Sequence, residues 1–142
     1  MSFSLLEDSD DSKMAKQYIS TPLAPQAIGT YSQAVRTGDT VYISGQIPLI
    51  PATMELIDAD IEEQTRQIFR SLRAIAEEAG GSLADFAKVN VFLTDLAHFP
   101  IINQVMEDVF TAPYPARAAV EVSQLPKGAE VEIDAIMTFD NV

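Results

Sequence analysis

The sequence predicts an α/β domain, with one mixed β-sheet and two helices packed on one of its faces. Three observations lead there. An apolar stripe at helical spacing, from Ile61 through Ile68, Phe69, Leu72, Ile75 and Ala76 to Ala79, occupies the middle of the chain. Segments of two-residue apolar alternation flank it, most clearly across residues 131–139. No repeat or linker divides the 142 residues, a length that suits one domain with a sizeable core.

The elements follow in order. Residues 1–15 read as an acidic, disordered tail preceding a domain over 16–142. Glu7, Asp8, Asp10 and Asp11 stand where a secretory signal would need an apolar core and a basic flank. Pro22 and Pro25 mark an extended entry. Residues 32–36 and 40–44 are short strands, and Gly38-Asp39 turns one into the other as a hairpin. Pro48 and Pro51 then interrupt regular structure. The first helix covers 61–79, with Asp60 as its cap and Glu63 completing a capping box. Gly80-Gly81 ends it.

Residues 88–94 form the next strand, and a strand–helix–strand crossover implies parallel pairing. A second helix spans about 100–110. Pro100 suits its first turn, and Ile101, Ile102, Val105, Val109 and Phe110 supply its buried side. Residues 117–122 and 131–139 are the last strands, joined as a pair by Leu125-Pro126-Lys127-Gly128. Ala118, Val120 and Val122 share one face of the first. In the second, Val131, Ile133, Ala135, Met137 and Phe139 point one way, and Glu132, Asp134, Ile136 and Thr138 the other. The sheet face without helices needs cover, and Ile136 among polar neighbours there points to an oligomer interface.

Composition narrows the chemistry. There is no cysteine, which removes disulfides, thiolate nucleophiles and cysteine-based zinc sites and fits a cytoplasmic location. His98 is the only histidine, so neither a histidine-cluster metal site nor a convincing Ser-His-Asp triad can be assembled. Nine basic residues against 21 acidic ones give a net charge of -12, which disfavours nucleic-acid binding. No apolar run is long enough to span a membrane. Phosphate-loop and dinucleotide glycine patterns are missing too. What remains is a set of polar residues beside Pro and Gly: Tyr31, Ser44, Gly45, Asn103, Arg117 and Glu132.

Three segments carry a resemblance. They are Ala27-Ile28-Gly29-Thr30-Tyr31-Ser32-Gln33-Ala34, Ile43-Ser44-Gly45-Gln46-Ile47-Pro48, and Pro115-Ala116-Arg117 followed by Leu125-Pro126-Lys127-Gly128-Ala129-Glu130-Val131-Glu132-Ile133. In order and spacing they resemble the RidA/YjgF family of enamine and imine deaminases over nearly the whole chain. The resemblance implies a chorismate-mutase-like fold and a homotrimer with clefts between subunits. It implies hydrolysis of 2-aminoacrylate and related 2-imino acids to 2-oxo acids and ammonia, with no metal or organic cofactor.

The resemblance also implies roles. Arg117 matches the carboxylate anchor, where a guanidinium grips a planar carboxylate with two parallel hydrogen bonds. Glu132 matches the residue that positions water. Glu130 is its nearest rival, because two-residue alternation assigns both to one face. Tyr31 matches the aromatic wall, Ser44 and Gly45 the strand-end pair, and Asn103 the helix asparagine of the cleft. Ala119 stands where the family usually meets ligand through its backbone. There are departures: Ala118 and Ala119 replace hydroxyl- or thiol-bearing residues, Met106 a frequent tyrosine, and His98, read as a surface residue, an acid. Two other readings are a trimer that binds 2-oxo acids without turnover and a ribonuclease or translation inhibitor, the latter opposed by the acidic composition.

Overall fold

The computed structural model describes residues 15–140. The expected acidic tail lies outside the described residues except for its last position. Six strands form one mixed sheet in the order β1-β2-β3-β6-β4-β5. They are β1 (Gln17–Ile19), β2 (Ala34–Thr37), β3 (Thr40–Gln46), β4 (Phe86–Leu93), β5 (Ala116–Glu121) and β6 (Val131–Thr138). Two helices, α1 (Ile61–Glu78) and α2 (Phe99–Val109), pack on one face.

The hairpin forms as expected, with Thr37 opposite Thr40 and Gly38 at a φ of 60° that favours glycine. Asp60 caps α1 by accepting from the Glu63 amide at 2.9 Å. The reciprocal half of the capping box does not form, because the Glu63 carboxylate pairs with Arg70 instead. Ile68, Leu72, Ile75 and Ala76 are fully buried. They meet Val89, Val91, Leu93, Val131, Ile133 and Met137, the helix-facing side chains of β4 and β6. Burying each such aliphatic side chain contributes about 1.5–3 kcal/mol before the cost of ordering the chain. Arg66 ties the two helices together through Asp108 at 2.7 Å.

Strand order departs from the expectation in two ways. The final pair, β5 and β6, are not neighbours; β4 lies between them, parallel to β5 and antiparallel to β6. Parallel pairing does occur, but across α2, between β4 and β5. Strands β3 and β4 run in the same direction, yet β6 separates them. Local alternation carries no information on which strands become neighbours, and hydrophobic coverage decides it: β6, apolar at every second position, takes a central place. Strand β1, three residues long, was too short to read from the sequence.

The other sheet face has no helix over it. Tyr18 and Tyr42 are exposed there at 70% and 51%. They share a row with Val35 and the half-buried Ile136. Phe92 and Val120 continue the apolar surface toward the β5 edge. No helix among the described residues is long and apolar enough to cross a membrane.

Candidate functional site

The expected site residues fall into two groups. Tyr31, Ser44, Gly45 and Glu132 line one cavity of about 650 Å³ at the end of β3 and β6. Asn103 and Arg117 line another of about 370 Å³ between α2 and the start of β5. The two groups lie on opposite sides of the sheet. Arg117 pairs in register with Val89, whose side chain is in the core under the helices. Glu132 pairs with Phe92, between the core positions Val91 and Leu93, so it faces the open side. One chain therefore does not bring Arg117 and Glu132 together.

In the first cavity a β-bulge sets the geometry. Ile43 pairs with Ala135 and Gln46 with Ile133, so Ser44 and Gly45 together oppose one residue of β6. The bulge exposes the backbone of Gly45 directly beneath the Glu132 carboxyl group. A Cβ at Gly45 would fall 2.0 Å from Oε2 and 2.9 Å from Cδ of Glu132. Only glycine permits that approach. Half-burial pushes the Glu132 carboxyl above its ordinary value, and the negative charge of Asp134 raises it further. Asp134 is in turn held by Asn90 Nδ2 at 2.8 Å.

Glu130 goes elsewhere. It lies just before β6, outside the regular alternation, and accepts a hydrogen bond from Gln64 of α1 at 2.9 Å. The structure thus separates two glutamates that strand periodicity assigned to one face. Ser44 donates its hydroxyl to Ser32 O at 2.5 Å, and its amide to Gln33 O at 2.9 Å. Its carbonyl oxygen accepts from Gln46 Nε2 at 3.1 Å.

Gln33, within the first of the three motifs, has a positioning role. It is buried, accepts from the Thr21 amide at 2.7 Å, and donates to Thr21 O at 3.0 Å and Pro25 O at 2.8 Å. It therefore fastens the entry segment that brings Pro25 to the cavity wall. An amide between two turn signals is indistinguishable from a surface residue in sequence alone.

In the second cavity Arg117 is exposed but seated. Its Nη1 donates to Asn103 Oδ1 at 2.7 Å and approaches Met106 Sδ at 3.9 Å. Its guanidinium carbon lies 4.6 Å from the centre of the Phe99 ring. Among the described residues its hydrogen bonds use Nη1 alone, and no carboxylate pairs with it. The Nε/Nη2 edge stays open to a planar anion. Phe99, at the start of α2, was not anticipated. Ala119 packs its side chain against the core, so only its backbone is available to a ligand. Ala118, in register with Asn90, lies on the open face. His98 is less exposed than expected: it is half-buried, and its Nδ1 is buried without a partner. Among the described residues no cluster of His, Asp or Glu could hold a metal ion.

Residues 21–139 match the family model described as Endoribonuclease L-PSP. The 2-iminobutanoate/2-iminopropanoate deaminase of Dermatophagoides farinae is 46% identical over 125 residues, 88% of this chain and 98% of that protein. The crystal structure of RidA from an Antarctic Psychrobacter superimposes with a TM-score of 0.84 at 53% identity, covering 87% of this chain and 99% of the other. That of Escherichia coli TdcF with bound serine gives 0.83 at 42% identity, covering 87% and 99%.

Proposed function

This chain belongs to the Endoribonuclease L-PSP family, the RidA/YjgF family its motifs resemble, and from that premise we propose that it hydrolyses 2-imino acids and their enamine tautomers to 2-oxo acids and ammonia. Arg117 anchors the substrate carboxylate through its open edge. Glu132 takes a proton from water as the oxygen attacks the C=N carbon. The same carboxyl group then delivers a proton to the departing nitrogen, and the C–N bond breaks to leave the 2-oxo acid. A carboxyl group raised above its ordinary value is both a better base toward water and a more competent proton carrier. The net reaction consumes one water and releases one ammonia, with no change in oxidation state, so no redox cofactor is called for.

The active cleft is shared between chains of a homotrimer. The observation that carries this reading is the placement of Arg117 and Glu132 on opposite sides of one sheet. A single chain offers an anchor without a base and a base without an anchor. The uncovered face bearing Tyr18, Tyr42, Ile136 and Val120 supplies a surface for the neighbouring chain.

Complementation tests both the chemistry and the sharing. Arg117→Ala and Glu132→Gln should each be nearly inactive on 2-aminoacrylate generated in situ, as read by pyruvate release. Co-refolded in equal amounts, they should regain about one quarter of wild-type activity, because random assembly pairs an intact Arg117 with an intact Glu132 in that share of clefts. Two active single variants would sink the chemistry. Two inactive ones with no recovery would sink the shared cleft.

A further inference from the structure

Among the described residues only two that are not glycine have a positive φ, Met54 at 63° and Lys127 at 58°. Both line the Glu132 cavity. A side chain on such a backbone is strained, and glycine would occupy the position without penalty. Strain of this kind persists only where the surrounding structure holds it in place, and it clusters at ligand-binding and active sites. At Met54 the surroundings indicate what it serves.

Met54 closes a tight turn. Its amide donates to Ile50 O at 2.7 Å, and the Ile50 amide donates to Glu55 O at 2.8 Å. Leu49 and Leu56 bridge across the base of the turn. The half-buried Met54 and the buried Leu49 both line the cavity. Ile28 and Ile47 complete an apolar wall in the cavity that also holds Glu132. A three-carbon imino acid has six heavy atoms and would fill on the order of 200 Å³, at about 30 Å³ per heavy atom. The cavity offers about 650 Å³. Within one chain, before a neighbour completes the cleft, that leaves room beside the smallest substrate. The lining residues available to it include four large apolar side chains, Ile28, Ile47, Leu49 and Met54, alongside the polar Gln26, Gln46 and Lys127.

We propose that Met54, with Ile28, Ile47 and Leu49, forms a subsite for the substrate's side chain, which selects 2-imino acids bearing an apolar chain the size of those derived from leucine or methionine. The inference rests on the deaminase reading above and adds to it a preference that Arg117 and Glu132 do not supply. Methionine suits such a wall because its unbranched thioether adapts to side chains of different shape.

The test compares kcat/KM for the leucine-derived imine, generated by an amino-acid oxidase, with that for 2-aminoacrylate. The wild-type protein should favour the larger substrate at least about tenfold, the lower end of what an apolar pocket gives for a single methylene group, since the leucine-derived imine carries three more carbons. Met54→Gly fits the backbone, so it should keep its Tm. The ratio should fall about fivefold or more, through loss on the larger substrate. Met54→Leu should keep the preference. If Met54→Gly does not fold, Met54→Asn, which tolerates the same φ but is polar, takes its place.

Turnover of neither substrate would overturn the deaminase reading itself. Turnover of both with a ratio near one, or a ratio that Met54→Gly leaves in place, would overturn the subsite alone. So would a preference for the imines of aspartate or glutamate, which Lys127 would attract.

Discussion

Around Arg117 the positioning falls to side chains: Asn103 holds one nitrogen, Phe99 underlies the guanidinium, and Met106 closes the third side. Around Glu132 it falls to the main chain. A bulge in β3 presents Gly45, and the carboxyl group lies where a Cβ would otherwise be. The two arrangements should respond differently to substitution. A seat made of several side chains loses one contact at a time. A close backbone approach has no intermediate setting, because one methyl group fills the space the carboxyl group occupies.

The largest effect belongs to the carboxyl group itself. Glu132→Gln should lower kcat about 10³-fold, the usual worth of a positioned proton-transfer group, while KM moves only slightly because the carboxylate anchor proposed at Arg117 is untouched. Steady-state ammonia release separates the two parameters. Gly45→Ala comes next. Displacing the Glu132 carboxyl by about 1 Å should cost roughly 10²-fold in kcat, with Glu132 still present. Phe99→Leu should do much less, raising KM about threefold at constant kcat, since one cation–π contact of an exposed arginine is worth about 0.5–1 kcal/mol. If Phe99→Leu proved as damaging as Gly45→Ala, the contrast between the two sites would be lost.

The same contrast explains what the sequence could reveal. The helices, the hairpin and the alternating strands were legible because each is written in local periodicity, and their ends shifted by only one or two residues. The insertion of β6 between β3 and β4 was not legible, since nothing local to residues 131–138 names its neighbours. At the candidate site, Arg117 and Glu132 stand out by the resemblance of their motifs, not by any local physical signal. Glu130 and Glu132 could not be separated by alternation, because the strand begins between them and Gln64 draws the first away. Phe99 and Gln33 were invisible for another reason. Their significance lies in contacts with residues far along the chain, Arg117 in one case and the Thr21–Pro25 segment in the other.

The smallest effect is also the one that distinguishes the two sites without any substrate. Glu132 is raised in the folded chain by burial, and then by Asp134. A carboxyl group that holds its proton more tightly folded than unfolded favours the native state while it is protonated. That advantage is fully present below the unfolded value of about 4.3, and it is lost as pH rises through the higher folded value. At neutral pH the half-buried negative charge therefore weakens the fold. Glu132→Gln removes that charge in both states. Its Tm should exceed that of the wild type at pH 7, and the two curves should converge as the pH falls below about 4. Arg117 is exposed, with no carboxylate partner among the described residues, so Arg117→Gln should shift Tm by a similar small amount at both pH values. Thermal unfolding of the three proteins at the two pH values reads this out. Parallel curves for Glu132→Gln and the wild type would mean that the carboxyl group is solvated in the folded state, and that the closeness to Gly45 does not perturb its charge.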